Sequence, residues 1–355
     1  MREIASTKHN IGRWQWLGTA SAIAMLASIS GAAADDPTSM MDGAHIWADI
    51  GGQLTDYASN PTTVFNDPTT PGNAIFIGPS GGWDGFGKFS FQPADSNWIF
   101  SLGLRYGRTN PKNFAGYGTL GTTGAGGEGA ADIAHAHAQH RAVRHAAVHA
   151  AATGTADSPN YVYYSGFISH KESHAMIDFT VGQDVGLGMF GQEGSSILSL
   201  GVRFAQFQAR TDIGYYTGTA SSTSFSEHAR ISRSFNGVGP MIGWDASAPL
   251  GGDFNSQLSI DWGADASLLF GKQKTQLQAT FSTGAAYPPV ERHKSVTVPS
   301  IGGYLALSWH GFEGTKISLG YRADDYFGVL DGGFDTEHKI DRAFYGPFIK
   351  IGISD

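Results

Sequence analysis

The stretch Asn255-Ser-Gln-Leu-Ser-Ile-Asp-Trp-Gly-Ala-Asp-Ala-Ser-Leu-Leu-Phe270 alternates its side chains two by two. One parity carries Leu258, Ile260, Trp262, Ala264, Ala266, Leu268 and Phe270; the other carries Ser259, Asp261, Gly263, Asp265 and Ser267. Successive side chains of a strand point to opposite faces, so one face here is apolar and the other polar, small or charged. In a water-soluble sheet the apolar face needs a covering layer. The pattern recurs along the chain, and no segment offers such a cover. The reading is an all-β fold: an antiparallel transmembrane β-barrel whose apolar face meets lipid.

The same alternation appears at 44–55, 82–92, 97–107, 161–186, 196–210, 237–248, 298–309, 315–327 and 342–354. Together with 255–271 these make ten strands, and eight or twelve remain compatible with the uncertain boundaries. The connections at 93–96, 187–195, 249–254 and 311–314 are short. Those at 56–81, 108–160, 211–236, 272–297 and 328–341 are long. Short periplasmic turns alternating with long extracellular loops belong to outer-membrane barrels. Trp83, Trp98, Tyr106, Trp309, Tyr326 and Tyr345 lie near strand ends, where aromatic girdles sit.

The N-terminus reads as an export signal. Arg2, Lys8 and Arg13 precede the apolar run Leu17–Ile29, and Ala32-Ala33-Ala34 supplies a small-residue cleavage site. The expected division is a signal peptide at 1–34 and a barrel at 35–355, its largest loop 108–160 being rich in His, Ala and Gly. After residue 35 no apolar run reaches the ~18 residues of a membrane helix. The net charge is −8 and the expected processing makes it more negative, which argues against a nucleic-acid footprint. There is no cysteine, so an exported chain of this kind holds together without disulfides. The 49 glycines are about twice the usual ~7%, and with 12% aromatic residues they fit curved strands better than helices.

The order of several short motifs resembles a family. Ile177-Asp178-Phe179-Thr180-Val181-Gly182-Gln183-Asp184 is followed by Ser199-Leu200-Gly201-Val202-Arg203-Phe204-Ala205-Gln206-Phe207. Then come Phe235-Asn236-Gly237-Val238-Gly239-Pro240, Ser267-Leu268-Leu269-Phe270-Gly271-Lys272, Gly320-Tyr321-Arg322 and the ending Phe344-Tyr345-Gly346-Pro347-Phe348-Ile349-Lys350-Ile351-Gly352. Over roughly 170–353 the chain resembles the Legionella-type major outer-membrane proteins. The resemblance implies a pore-forming barrel of a Gram-negative outer membrane with no catalytic residues to carry over. Such barrels usually end on an aromatic residue, whereas this sequence ends Ile353-Ser354-Asp355.

The polar parity supplies the candidate pore-lining residues: Asp84, Lys88, Arg105, Asp178, Arg203, Asp261, Asp265, Arg322 and Asp324. Asp261 and Asp265 are expected to face Arg105, Arg203 or Arg322. Charged rings of this kind tune ion selectivity, but in a small barrel the same pairs can fill the interior. The expected function is a porin-like passive channel for small polar solutes or ions. The alternative is a closed barrel whose surface loops bind a partner or metal. His135, His137, His140, His145 and His149 form a His/Ala segment without a hydrolase pattern, and it reads as a low-complexity loop. His170, Glu172, His174 and Asp178 share one strand row and read as rim lining. Gly124–Gly129 lacks the βαβ unit of a dinucleotide site. No catalytic residue, metal site or cofactor is expected, and the chain is read as no enzyme. The expected partners are outer-membrane lipid, lipopolysaccharide and the barrel-assembly machinery, with homo-oligomers compatible.

Overall fold

The structure is a computed structural model. It describes residues 43–58, 62–65, 75–77, 79–120, 162–185, 195–219, 222–253, 256–281, 289–311, 314–332 and 339–354. The expected signal peptide, the His/Ala segment and the Gly124–Gly129 run lie outside these residues.

The unit Gly43–Asp355 is all β among the described residues. Its strands are β1 (His45–Ala58), β2 (Thr62–Phe65), β3 (Ile75–Ile77), β4 (Gly82–Gln92), β5 (Trp98–Thr109), β6 (Lys112–Leu120) and β7 (Val162–Asp184). They continue with β8 (Ser195–Thr219), β9 (Ser222–Asp253), β10 (Ser256–Phe281), β11 (Val290–His310), β12 (Thr315–Asp331) and β13 (Lys339–Ser354). Hydrogen-bonded neighbours run β5-β4-β1-β13-β12-β11-β10-β9-β8-β7, and β5 pairs with β7 to close the ring. Ten antiparallel strands therefore form the barrel. β6 adds to the upper part of β7, and β2 pairs with β3 in a separate hairpin.

The opening stretch does what its alternation demands. In the register of β10 with β9 and β11, Leu258, Leu268 and Phe270 are exposed on the outer wall, whereas Ser259, Asp261 and Ser267 are buried inside. The outer wall elsewhere carries Phe100, Leu104, Phe179, Leu200, Phe204, Ile301, Leu305, Leu319 and Ile351, all exposed. A closed barrel leaves no sheet edge, and an apolar outer band satisfies lipid while its backbone groups pair internally. Leu200, 64% exposed, sits mid-band. Leu200→Arg is expected to destabilise the barrel by about 2–4 kcal/mol in a bilayer. Unfolding in lipid vesicles checks this; a change under about 0.5 kcal/mol would show that the band does not face lipid.

The loop expectations need correction. A strand needs only about 9–11 residues to cross a membrane, yet β8 has 25 and β9 has 32. The polar stretches 211–236 and 272–297, expected as loops, mostly continue β8–β9 and β10–β11 well past the apolar band. Residues 112–120, expected inside the 108–160 loop, form β6. The long extensions all lie at the end away from the chain ends of the barrel. Connections at the other end are short: 93–97, 185–194, 254–255 and 311–314. By this asymmetry the extended end is extracellular and the end carrying His45 and Ser354 is periplasmic.

Two glycines are required by geometry. Gly328 has φ of 67°, and the register shifts between Tyr326 and Leu330 at this point. The Gly328 N–H donates to Asp341 Oδ1 at 2.6 Å. The irregularity leaves Tyr326, Val329 and Leu330 all buried. Gly107 faces inward, where a Cβ would overlap the Asp84 carboxylate and the His174 ring.

Candidate functional site: a charged vestibule under an aromatic plug

The inward rows build two layers. The lower layer is a cavity of about 1290 Å³, lined by residues of the periplasmic half such as Trp47, Ser101, Ser199, Tyr304, Thr315 and Ser354. Its roof is a chain of alternating charges across the lumen. Arg105 Nη2 lies 2.5 Å from Asp84 Oδ2, and Arg105 Nη1 lies 2.5 Å from Asp324 Oδ2. Arg322 Nε reaches Asp324 Oδ2 at 2.9 Å, and its Nη2 lies 3.7 Å from Asp265. Arg203 Nη1 lies 2.7 Å from Asp265 Oδ1 and its Nε 2.8 Å from Asp178 Oδ1. Gln53 Oε1 accepts a further bond from Arg105 at 3.1 Å.

Seven of the nine residues expected to line a pore thus lie in one network: Asp84, Arg105, Asp178, Arg203, Asp265, Arg322 and Asp324. The other two lie lower. Lys88 meets Asp245 at 2.9 Å, and the Tyr304 hydroxyl donates to the same carboxylate at 3.0 Å. Asp261 meets Lys316 at 2.6 Å and accepts from Ser308 and Ser247 at 2.6 and 2.7 Å. Asp265 therefore faces arginines as expected, whereas Asp261 faces a lysine. Lys350 and Asp49 add a third lower pair at 3.3 Å.

The upper layer was not expected. Directly above the charge network the inward rows turn apolar. Tyr57, Met176, Phe207, Phe235, Leu269, Val298, Tyr326, Val329, Leu330, Ile340 and Phe344 form one buried cluster. Its centre is aromatic: Phe207 lies 4.9 Å from Tyr326 and 5.9 Å from Phe344, and Phe344 lies 5.0 Å from Tyr57, centroid to centroid. Tyr326 is therefore a plug residue 1% exposed, not a girdle residue. Trp83, Trp98, Tyr106 and Trp309 are exposed on the outer wall, as a girdle requires.

A polar knot seals the plug from above. Arg342, fully buried, donates to both Glu172 oxygens at 2.5 Å. His170 Nε2 lies 2.7 Å from Glu172 Oε1, and its Nδ1 lies 2.9 Å from the Thr211 hydroxyl. His174 Nε2 lies 3.3 Å from Asp84 Oδ2, linking knot, plug and network. The row His170, Glu172, His174 and Asp178 does face inward, but His170 and Glu172 bond each other while His174 meets Asp84 and Asp178 meets Arg203, and no shared metal position results. No group of three potential metal ligands occurs among the described residues.

Comparison with known families supplies the identity of this architecture. The family model described as Legionella pneumophila major outer membrane protein precursor matches residues 94–354. The chain belongs to this family. The match covers all strands from β5 to β13, so both layers are built largely from family sequence. No curated protein matches the chain. Among solved structures, the outer membrane protease OmpT from Escherichia coli is 9% identical, covers 90% of this chain and 99% of its own, and has a TM-score of 0.43. The P. putida toluene transporter TodX is 9% identical over 88% of this chain and 90% of its own, TM-score 0.18. A Pseudomonas aeruginosa FadL homologue is 10% identical over 88% and 90%, TM-score 0.19. The expectation that the chain is no enzyme is corrected here. The matching solved structures include an outer membrane protease. The family places the chain in the outer membrane.

Proposed function

We propose that this family member is a porin-like conduit for small polar solutes or ions, shut at mid-height by its aromatic plug. One observation carries the reading: a charge-lined cavity of about 1290 Å³ runs up from the periplasmic end to the charge network, above which the inward rows form a buried apolar layer. Apolar constrictions shut channels by shedding water, and a small rearrangement of rings re-wets them. Ten strands enclose a lumen only a little wider than the eight-stranded size that side chains fill, so a narrow gated path suits this barrel better than a wide aqueous pore. The network holds Asp84, Asp178, Asp265 and Asp324 against Arg105, Arg203 and Arg322, and the three lower pairs are balanced. The surplus carboxylate favours cations.

Planar-bilayer recording of the purified folded protein tests this. Brief, infrequent openings with a modest cation preference are expected. A large, steadily open or anion-selective conductance contradicts it. The full burial of Leu269, Val298 and Phe235 favours a second reading, a closed barrel that serves through its extracellular strands. That reading is upheld if neither the native protein nor plug variants conduct.

A further inference from the structure

The outer wall just above the apolar band is not uniform around the barrel. On β5, β7, β8 and β9 its outward rows carry Arg108, Lys171, Arg210 and Arg230. On β1, β12 and β13 they carry Asp56, Asp325 and Asp341. One face is basic and another acidic at the level where lipid headgroups lie.

The register gathers the basic residues. Lys171 stands directly opposite Arg210, and Arg108 stands opposite Ser173, the next outward residue on β7. Cross-strand neighbours on one face have Cβ atoms about 5 Å apart and diagonal neighbours about 7–8 Å. Arg108, Lys171 and Arg210 therefore form a triangle that one anionic group can span. Like charges directly opposed are destabilising unless something neutralises them. Only part of that is done within the wall. Asp212 meets Arg210 at 2.8 Å and Arg230 at 2.7 Å, so it is shared. Burial pushes the Asp212 carboxyl up, but the two guanidiniums hold it below the usual range. Lys171 is exposed, and no carboxylate pairs with it among the described residues.

Two further features suit a lipid rather than a soluble anion. The Arg108 guanidinium lies 5.9 Å over the Trp83 ring, which holds a cation at the aromatic girdle. Below the triangle the same three strands expose Tyr106, Ile177 and Phe204: Tyr106 is the next outward residue after Arg108, and Ile177 and Phe204 lie six residues below Lys171 and Arg210. A ligand with phosphate above and acyl chains below matches both levels. We propose that the β5–β7–β8 face binds a phosphorylated membrane lipid, its phosphate held by Arg108, Lys171 and Arg210 and its acyl chains lying along Tyr106, Ile177 and Phe204. This site stands apart from the lumen and does not depend on the conduit reading.

Native mass spectrometry of the folded protein in neutral detergent tests it with three probes: a bis-phosphorylated acylated disaccharide, its dephosphorylated form and inorganic phosphate. The variants are Lys171→Gln with Arg210→Gln, and Lys339→Gln on the acidic face as a control for lost charge. Each cation near an anionic headgroup contributes about fivefold in affinity, so the double variant is expected to bind the bis-phosphorylated lipid about 25-fold more weakly. The control is expected to bind normally. All proteins must keep the heat-modifiable gel shift of a folded barrel; if the double variant loses it, Lys171→Gln alone is used, with about a fivefold loss expected. Equal binding by native and variant proteins overturns the site. Equal binding of the dephosphorylated lipid overturns the role of phosphate, and effective competition by equimolar inorganic phosphate overturns the lipid assignment.

Discussion

A Phe207→Ser, Phe344→Ser double variant is expected to stay open at least about tenfold longer than the native protein in planar bilayers. These two rings lie at the centre of the plug, packed 5.9 Å apart and against Tyr326, Tyr57 and His174. Truncation to alanine would leave an apolar void, and such voids stay dry. Serine hydroxyls give water partners and join the vestibule to the polar knot above. Large-to-small changes in a packed core cost about 3–5 kcal/mol each, so a folded-state check by heat-modifiable migration accompanies the recording. The control is Phe207→Leu, Phe344→Leu, which keeps the layer apolar and is expected to remain shut. A folded double-serine variant that stays silent refutes gating by the plug and leaves the closed-barrel reading standing.

Glu172→Ala is expected to lower stability by about 3–5 kcal/mol, since it leaves the buried Arg342 guanidinium without its carboxylate. Replacing both partners by apolar groups, Glu172→Leu with Arg342→Met, is expected to destabilise less than the single change, because no orphan charge remains. Glu172 lies three residues beyond Ala175, outside the apolar band of β7. Burial pushes its carboxyl up, yet Arg342 and His170 outweigh that and hold it at about 2, against an ordinary 4.5. A depressed carboxyl contributes stability that is complete above the unfolded value and lost as pH falls through the folded one. The knot therefore contributes fully above pH 4.5 and progressively less down to about pH 2. That window carries about 3 kcal/mol. Denaturant midpoints of the folded barrel between pH 2 and 6 measure it. A native protein and a Glu172→Ala variant with parallel pH profiles would contradict the assignment.

The outer wall was legible in the sequence because lipid enforces one rule on every strand that crosses it. Leu198, Leu200, Val202 and Phe204 had to share a parity, and the wall shows them exposed together. Above the band that rule lapses. The outer faces of the β8 and β9 extensions meet water, so Thr211–Thr219 and Ser222–Asn236 show no apolar outward row and read as loops although they pair along nearly their whole length. The charge network was legible because its members all fall on the polar, inward parity of their strands, although several of those strands are not neighbours in the sheet. Its pairing was legible only in part: Asp261 meets Lys316 because strand stagger, which residue type does not encode, sets the level of each side chain.

The plug escapes a reading that treats the inner parity as uniformly polar. Its signal lies in phase rather than in composition. Phe207 and Leu269 stand four residues beyond Arg203 and Asp265 on the same inward row, and Tyr326 stands two beyond Asp324. An inward row that changes from charged to apolar at the same height on several strands marks a layer across the lumen. Tyr326 near a strand end resembled a girdle residue, and only its parity with Asp324 distinguishes the two.

In the proposed conduit the lumen is accessible from the periplasmic end and sealed from the extracellular end by the plug. The native chain has no cysteine, so a single Ser199→Cys beneath the charge network gives an unambiguous reporter. The measurement is labelling of that thiol by a small membrane-impermeant maleimide, added to one side at a time of oriented proteoliposomes. The structure predicts labelling from the periplasmic side and none from the extracellular side, with both sides becoming reactive in the Phe207→Ser, Phe344→Ser background. Equal labelling of Ser199→Cys from both sides with the plug intact would contradict a lumen closed at mid-height.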